Sequence, residues 1–192
     1  MPAGLSRITV HPLTPDRWDD LVALFGARGA CGGCWCMTPR LTRRDFEAGK
    51  GAKNRRRFRD IVMRGEEPGV VAYRGTRPVG WCAIAPRQVF VQLATSRALK
   101  PVDDQPVWSV TCLFVEKSHR RQGVATALLK GAVRFARRRG ARIVEGYPVL
   151  PRTGDMPDVF AWMGLPAPFE RAGFVEVHRH TPARPIMRCA IR

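Results

Sequence analysis

Nowhere does this chain hold an apolar run near the ~18 consecutive residues that a helix needs to cross a bilayer, which argues against a helical membrane span. The opening Met1-Pro2-Ala3-Gly4-Leu5-Ser6-Arg7 lacks the long apolar stretch of a secretory leader, so a soluble, cytoplasmic protein is expected. Internal repeats and low-complexity segments are absent, which removes solenoids and disordered tails from consideration. Acidic residues are scarce: 16 Asp and Glu stand against 33 Lys and Arg, a net charge of +17. That imbalance predicts an anionic partner, either a phosphorylated small molecule or a nucleic acid, or else simply a solvated basic surface. The Cys31-Gly32-Gly33-Cys34-Trp35-Cys36 cluster has no second Cys-x-x-Cys or His-x-x-x-His downstream. Three crowded thiols fall one ligand short of a tetrahedral zinc site, so no metal is expected. In a reducing compartment the six cysteines remain thiols, with Cys82 and Cys112 packed inside apolar runs.

What is present is enough for a core. Of the 192 residues 45% are hydrophobic, consistent with one domain spanning 1–192. Residues 7–10 read as a strand, and Thr14-Pro15 as the start of a helix whose apolar face is Trp18, Leu21, Val22 and Phe25. Residues 42–63 form a basic helical region containing Lys50, Lys53, Arg55, Arg56, Arg57 and Arg59. Residues 69–74 and 78–85 flank a Gly75 turn and read as a hairpin, while 87–106 read as a loop. Residues 107–115 make a strong strand rich in valine and aromatics, 123–139 the best amphipathic helix, and 142–149 the next strand. Strand, helix, strand in that order is a βαβ unit. A helical segment ending at 169–172 and strands at 175–180 and 186–191 complete an α+β fold: a mixed central sheet with helices on both faces.

The chemistry concentrates where the 107–115 strand ends, a short basic loop follows, and Gly123 opens a helix. Helix starts leave amide hydrogens without partners and add partial positive charge, so together they hold anions such as a diphosphate. Gly123 permits close backbone approach, Ala125 keeps the next position small, and Arg120 and Arg121 add charge.

Arg120-Arg121-Gln122-Gly123-Val124-Ala125 resembles the Gln/Arg-x-x-Gly-x-Gly/Ala signature of the GNAT acetyltransferases, and Phe169-Glu170-Arg171-Ala172-Gly173-Phe174 resembles their later Tyr-Glu-Lys-x-Gly-Phe segment. The resemblance implies the GNAT fold and acetyl-CoA as donor, with Arg120, Arg121, Gln122, Gly123, Val124, Ala125 and Thr126 on its pyrophosphate. It implies pantetheine in a splayed gap, paired with the main chain of Leu113, Phe114 and Val115, and a strand amide polarising the acyl carbonyl. A primary amine would attack directly. Candidate bases are Asp103, Asp104 and Glu145; the family's tyrosine acid is replaced by Phe169, leaving Tyr147 or water as proton donor. Trp35 and Cys36 would border the acceptor pocket, built by loops 26–41, 87–106 and 150–168. The Gly33-Cys34-Trp35-Cys36 loop, with Val79-Gly80-Trp81-Cys82 and Tyr147-Pro148-Val149, is similar to a bacterial GNAT subgroup. Two other readings stand beside this one: a tRNA-directed transferase of the same fold, suggested by the basic surface, and a non-catalytic CoA-binding module, suggested by the absent tyrosine. A dimer is a plausible assembly.

Overall fold

The structure, a computed structural model, describes residues 7–151 and 162–191. Strand β1 (Ile8–Pro12) alternates half-buried and exposed positions, as an edge strand does. Helix α1 (Trp18–Phe25) buries Trp18, Leu21 and Phe25 and stops at Gly26, whose φ is +61°. The expected basic helical region consists of two helices, α2 (Arg43–Glu47) and α3 (Ala52–Met63). Thr42 caps α2 by accepting from the Asp45 amide at 3.2 Å, and Gly51, at φ +82°, turns the chain between the helices.

Strands β2 (Gly69–Arg74) and β3 (Arg77–Pro86) form the expected hairpin. The segment expected as a loop carries a short helix, α4 (Val91–Thr95), which buries Leu93 beside Phe90. Strand β4 (Trp108–Val115), helix α5 (Val124–Arg137) and strand β5 (Ile143–Gly146) are the expected βαβ unit, with β5 shorter than its apolar run suggested. Helix α6 (Pro166–Arg171) and strands β6 (Val175–Thr181) and β7 (Arg184–Ala190) follow.

Among the described residues, seven strands lie in the order β1-β2-β3-β4-β5-β7-β6, of which only the neighbours β4 and β5 run parallel. Helix α5 covers one face with Leu128, Leu129, Ala132, Phe135 and Ala136. It packs so closely that a Cβ on its Gly131 would lie 2.3 Å from Val10. The opposite face is covered by α1 and α3, where Trp18, Phe25, Phe58 and Trp81 form an aromatic core. Each fully buried aromatic or leucine there contributes about 1.5–3 kcal/mol through burial. No helix among the described residues is long and apolar enough to cross a membrane.

The sheet does not stay closed. Strand β4 pairs with β3 as far as Gly80↔Val115, but with β5 only at Trp108↔Val144, Ser109↔Glu145 and Val110↔Gly146. Thr111 is the extra residue of a bulge, since Ile84 pairs with Val110 and Ala83 with Cys112. Beyond that bulge β4 and β5 part, and among the described residues the edge of β4 has no strand neighbour on that side.

Candidate functional site at the parting of β4 and β5

On the α5 face, the site begins with the loop leaving β4. Arg121 (φ +59°) and Gly123 (φ +79°) are both left-handed and flank Gln122, a backbone pattern that turns successive amides into one concavity. Gln122 is anchored by its side-chain amide, which donates to the Ser118 carbonyl at 2.8 Å. A Cβ built on Gly123 meets nothing within 4 Å, so the space in front of it is open. Among the described residues, no protein group accepts from the backbone amides of 121–126. Of the side chains here, Val124 is buried beside Gly80 while Arg121 and Gln122 are exposed. The Arg171 guanidinium reaches the Thr126 hydroxyl at 3.5 Å, adding a cation from α6. Open amides, a helix N-terminus and arginines suit a diphosphate.

Within the gap, the pleat divides the expected main-chain contacts. The Glu116 amide donates to Val79, so Phe114 also turns its peptide groups toward β3, whereas Leu113 and Val115 turn theirs toward the gap. The expectation for Phe114 is therefore corrected: its backbone belongs to the sheet ladder. The Leu113 amide donates to the Trp162 carbonyl at 2.7 Å, and the Val115 carbonyl accepts from Arg120 Nε at 3.2 Å. The 162–164 segment thus occupies part of the gap, and Gly164 in turn accepts from the Val149 amide at 2.9 Å.

A cavity of about 260 Å³ opens where the strands separate. Its walls come from Pro39, from α4 and the turn after it, from Thr111, from Trp162 and Met163, and from Arg184. These positions fall within the three loops expected to build a pocket, together with β4 and β7; residues 152–161 of the third loop lie outside the described residues. Thr111 Oγ1 is fully buried and has no hydrogen-bond partner among the described residues.

Several expected site residues are not on this cavity. Glu145 is fully buried and accepts from Arg188 Nε at 2.7 Å, Arg87 at 3.1 Å and Tyr147 at 2.7 Å. Tyr147 is also fully buried, with its hydroxyl 2.7 Å from Ser109 Oγ and 2.6 Å from Arg87. Burial, then the Glu145 carboxylate, push its phenol well above the ordinary range, which makes it a poor proton donor at neutral pH. The outer end of this network is Asp103, paired to Arg188 at 2.7 and 3.0 Å and held at a pKa of about 2 by that guanidinium. Asp104 is exposed on the surface turn beside it. None of Asp104, Glu145 and Tyr147 reaches the cavity, because β5 and β7 hold the two buried groups inside the sheet.

Trp35 and Cys36 also move from pocket to core. Consecutive left-handed residues (φ +46° and +56°) fold both side chains beneath the sheet. Trp35 stacks on Trp18 at 6.1 Å, and Cys36 accepts from Trp81 Nε1 at 3.2 Å. The Cys112 thiol, donating to Cys36, is the chief cause that lowers the Cys36 pKa. No cluster of three or more His, Cys, Asp or Glu among the described residues could hold a metal ion. Phe169, at the family's tyrosine position, is a core residue set edge-on against Phe174 at 5.1 Å.

Residues 35–148 match the family model described as the acetyltransferase (GNAT) family, more than half the chain. The chain belongs to the GNAT acetyltransferase family. It is an N-acetyltransferase with acetyl-CoA as its acyl donor. Among solved structures, the GNAT fold seen here is shared by the PaiA N-acetyltransferase of Thermoplasma acidophilum in complex with coenzyme A. That match has a TM-score of 0.52 and 13% identity over 96% of this chain and 99% of that one. A GNAT acetyltransferase from Streptococcus agalactiae matches with a TM-score of 0.55 and 12% identity, covering 96% of each chain. Another, from Listeria monocytogenes, gives 0.57 and 8% identity over 100% of this chain and 99% of that one. At such identities the likeness is one of fold. No curated protein matches the sequence.

The sequence pointed to the α5 entrance but missed Thr111, Arg184 and Arg171 on these surfaces and Arg87 in the buried network. Arg171 had a signal, since it stands in the second GNAT-like segment. Thr111 and Arg184 had none: a bulge and a distant strand bring them together.

Proposed function

We propose that this GNAT enzyme transfers the acetyl group of acetyl-CoA directly to a primary amine held in the cavity beside Thr111. The supporting observation is the set of unengaged amides at 121–126, open to solvent at one end of the same gap whose other end is the cavity. Bound acetyl-CoA supplies a thioester carbonyl open to attack by nitrogen. The amides of 121–126, with Arg121 and Arg171, neutralise and position the diphosphate. The Leu113 amide, pointing into the gap, becomes the donor that polarises the acyl carbonyl once it leaves the Trp162 carbonyl. No carboxylate lines the cavity among the described residues. The attacking amine therefore loses its proton to water, and water protonates the leaving thiolate.

Substituting Gly123→Glu tests this reading. The new side chain finds open space, so the fold survives, at a strain cost of about 1–2 kcal/mol for its left-handed φ of +79°. Its carboxylate stands against the phosphates, and CoA affinity in a calorimetric titration drops by about 100-fold or more. Unchanged affinity would remove the diphosphate from this helix start.

A further inference from the structure

Among the described residues, the cavity is lined by one cation and no anion. Arg184 projects from β7 into its wall, and its only side-chain hydrogen bond among the described residues is to the Met163 thioether, at 3.5 Å. A thioether sulfur is a weak acceptor and brings no charge. Two other arginines shielded from solvent are provided for differently: Arg188 is paired with Glu145 and Asp103, and Arg87 with Glu145 and two backbone carbonyls. Arg40 Nε and the Arg74 guanidinium also hold buried nitrogens without a partner among the described residues, but neither residue lines this cavity. Burial lowers the Arg184 pKa, and no carboxylate among the described residues pairs with it to offset that cost. In the same wall the buried Thr111 hydroxyl also lacks a partner among the described residues, of which Gln92 and Ser96 are the other polar ones lining it. The rest is apolar: Leu93, Leu99, Met163 and the ring of Trp162. A guanidinium taken from water and left short of an acceptor is satisfied when a ligand supplies an oxyanion in a fork-to-fork pair.

We infer that the acceptor amine also carries a carboxylate, which Arg184 pairs while Thr111 hydrogen-bonds beside it. A cavity of about 260 Å³ suits a molecule the size of a single amino acid with an apolar side chain. Arg184 thereby sets specificity against polyamines and other purely cationic amines, which would bring positive charge against it. This inference rests on the proposed transfer to an amine in this cavity and deepens it by naming the acceptor class.

The test uses matched sets of amines with one apolar side chain each: an amino acid, its carboxamide, the decarboxylated amine and the aminophosphonate. Rates of thiol release from acetyl-CoA are compared for the intact protein and for Arg184→Gln, with Arg184→Lys as a second variant that keeps the charge. The expected result is a kcat/KM for the amino acid about tenfold or more above that for its amide and amine. Arg184→Gln abolishes that preference mainly through KM, Arg184→Lys keeps part of it, and CoA affinity is unaltered in both. Preference for the phosphonate over the carboxylate would assign the same pairing to a phosphorylated acceptor and overturn the carboxylate reading. Equal use of acid, amide and amine, or a preference that survives Arg184→Gln, would overturn the role of Arg184. So would normal CoA binding with no amino acid acetylated. Titrating acid against amide without CoA reads the same preference without turnover, so a failure of CoA binding would sink only the donor reading.

Discussion

Strand β7 holds two arginines with opposite surroundings. Arg188 is enclosed by carboxylates, bonded to Glu145 at 2.7 Å and to Asp103 at 2.7 and 3.0 Å, and these pairs hold its pKa above the ordinary value. Arg184, four residues earlier on the same strand and in the cavity wall, has a thioether. The same division separates two larger regions. In the Glu145–Tyr147–Arg87 network every polar side chain finds a protein partner, and the network ties β4, β5, β7 and the segment after β3 together. Among the described residues, the amides at the α5 entrance and the Thr111 hydroxyl of the cavity have no such partner, and the Arg184 guanidinium has only a thioether. Polar groups that satisfy one another hold the architecture; at the cavity and the α5 entrance, groups short of a partner leave room for a ligand to complete the set.

The sharpest way to break this contrast is Glu145→Ala. It strands Arg188 and Arg87 in a buried site, and unfolding by denaturant should show a loss of about 3–5 kcal/mol. A loss below about 1 kcal/mol would mean that the network is not structural and would reopen Glu145 as a base. Tyr147→Phe is a smaller cut. Removing one hydroxyl from Ser109, Arg87 and Glu145 costs about 1–2 kcal/mol, while the pH dependence of kcat keeps its shape. A hundredfold fall in kcat at unchanged stability would instead restore this tyrosine as proton donor. The mildest effect belongs to Asp103, whose pKa falls from 3.8 to about 2 on folding. The folded state then binds fewer protons than the unfolded one between those values. The contribution is complete above the unfolded pKa and fades as the pH falls from about 4 toward about 2. Asp103→Asn should flatten that acid arm in denaturation midpoints measured across the window, and an unchanged arm would show that the Arg188 pair contributes nothing there.

Much of the chain was legible from local pattern. The hairpin around Gly75, the β4-α5-β5 unit and the glycine opening α5 are all set by signals a few residues apart: alternation, a 3.6-residue stripe, a turn residue. The misreadings share one cause. Residues 42–63 read as one basic helical region with no internal boundary, whereas Gly49 and Gly51 divide it into two helices where the Cys31–Cys36 loop abuts α3: a Cβ on Gly33 would lie 2.6 Å from the Gly51 amide. Trp35 and Cys36 stand in a glycine-rich loop expected to border the acceptor pocket, yet they pack under Trp18 and Trp81, contacts that span the domain. Glu145 and Tyr147 seemed poised on a strand beside the motif, but their neighbours Arg87 and Arg188 come from distant segments.

By itself the sequence determined the order of strands and helices, the basic charge and the helix start suited to a diphosphate, because those depend on short-range periodicity, capping and composition. The tertiary structure alone decided which polar residues face the gap. The bulge at Thr111, the early end of the β4–β5 pairing and the meeting of Arg184 with that gap depend on strand register across residues far apart in the chain. A polar side chain becomes architecture or binding surface according to whether a remote segment brings it a partner, and that is settled only when the sheet assembles.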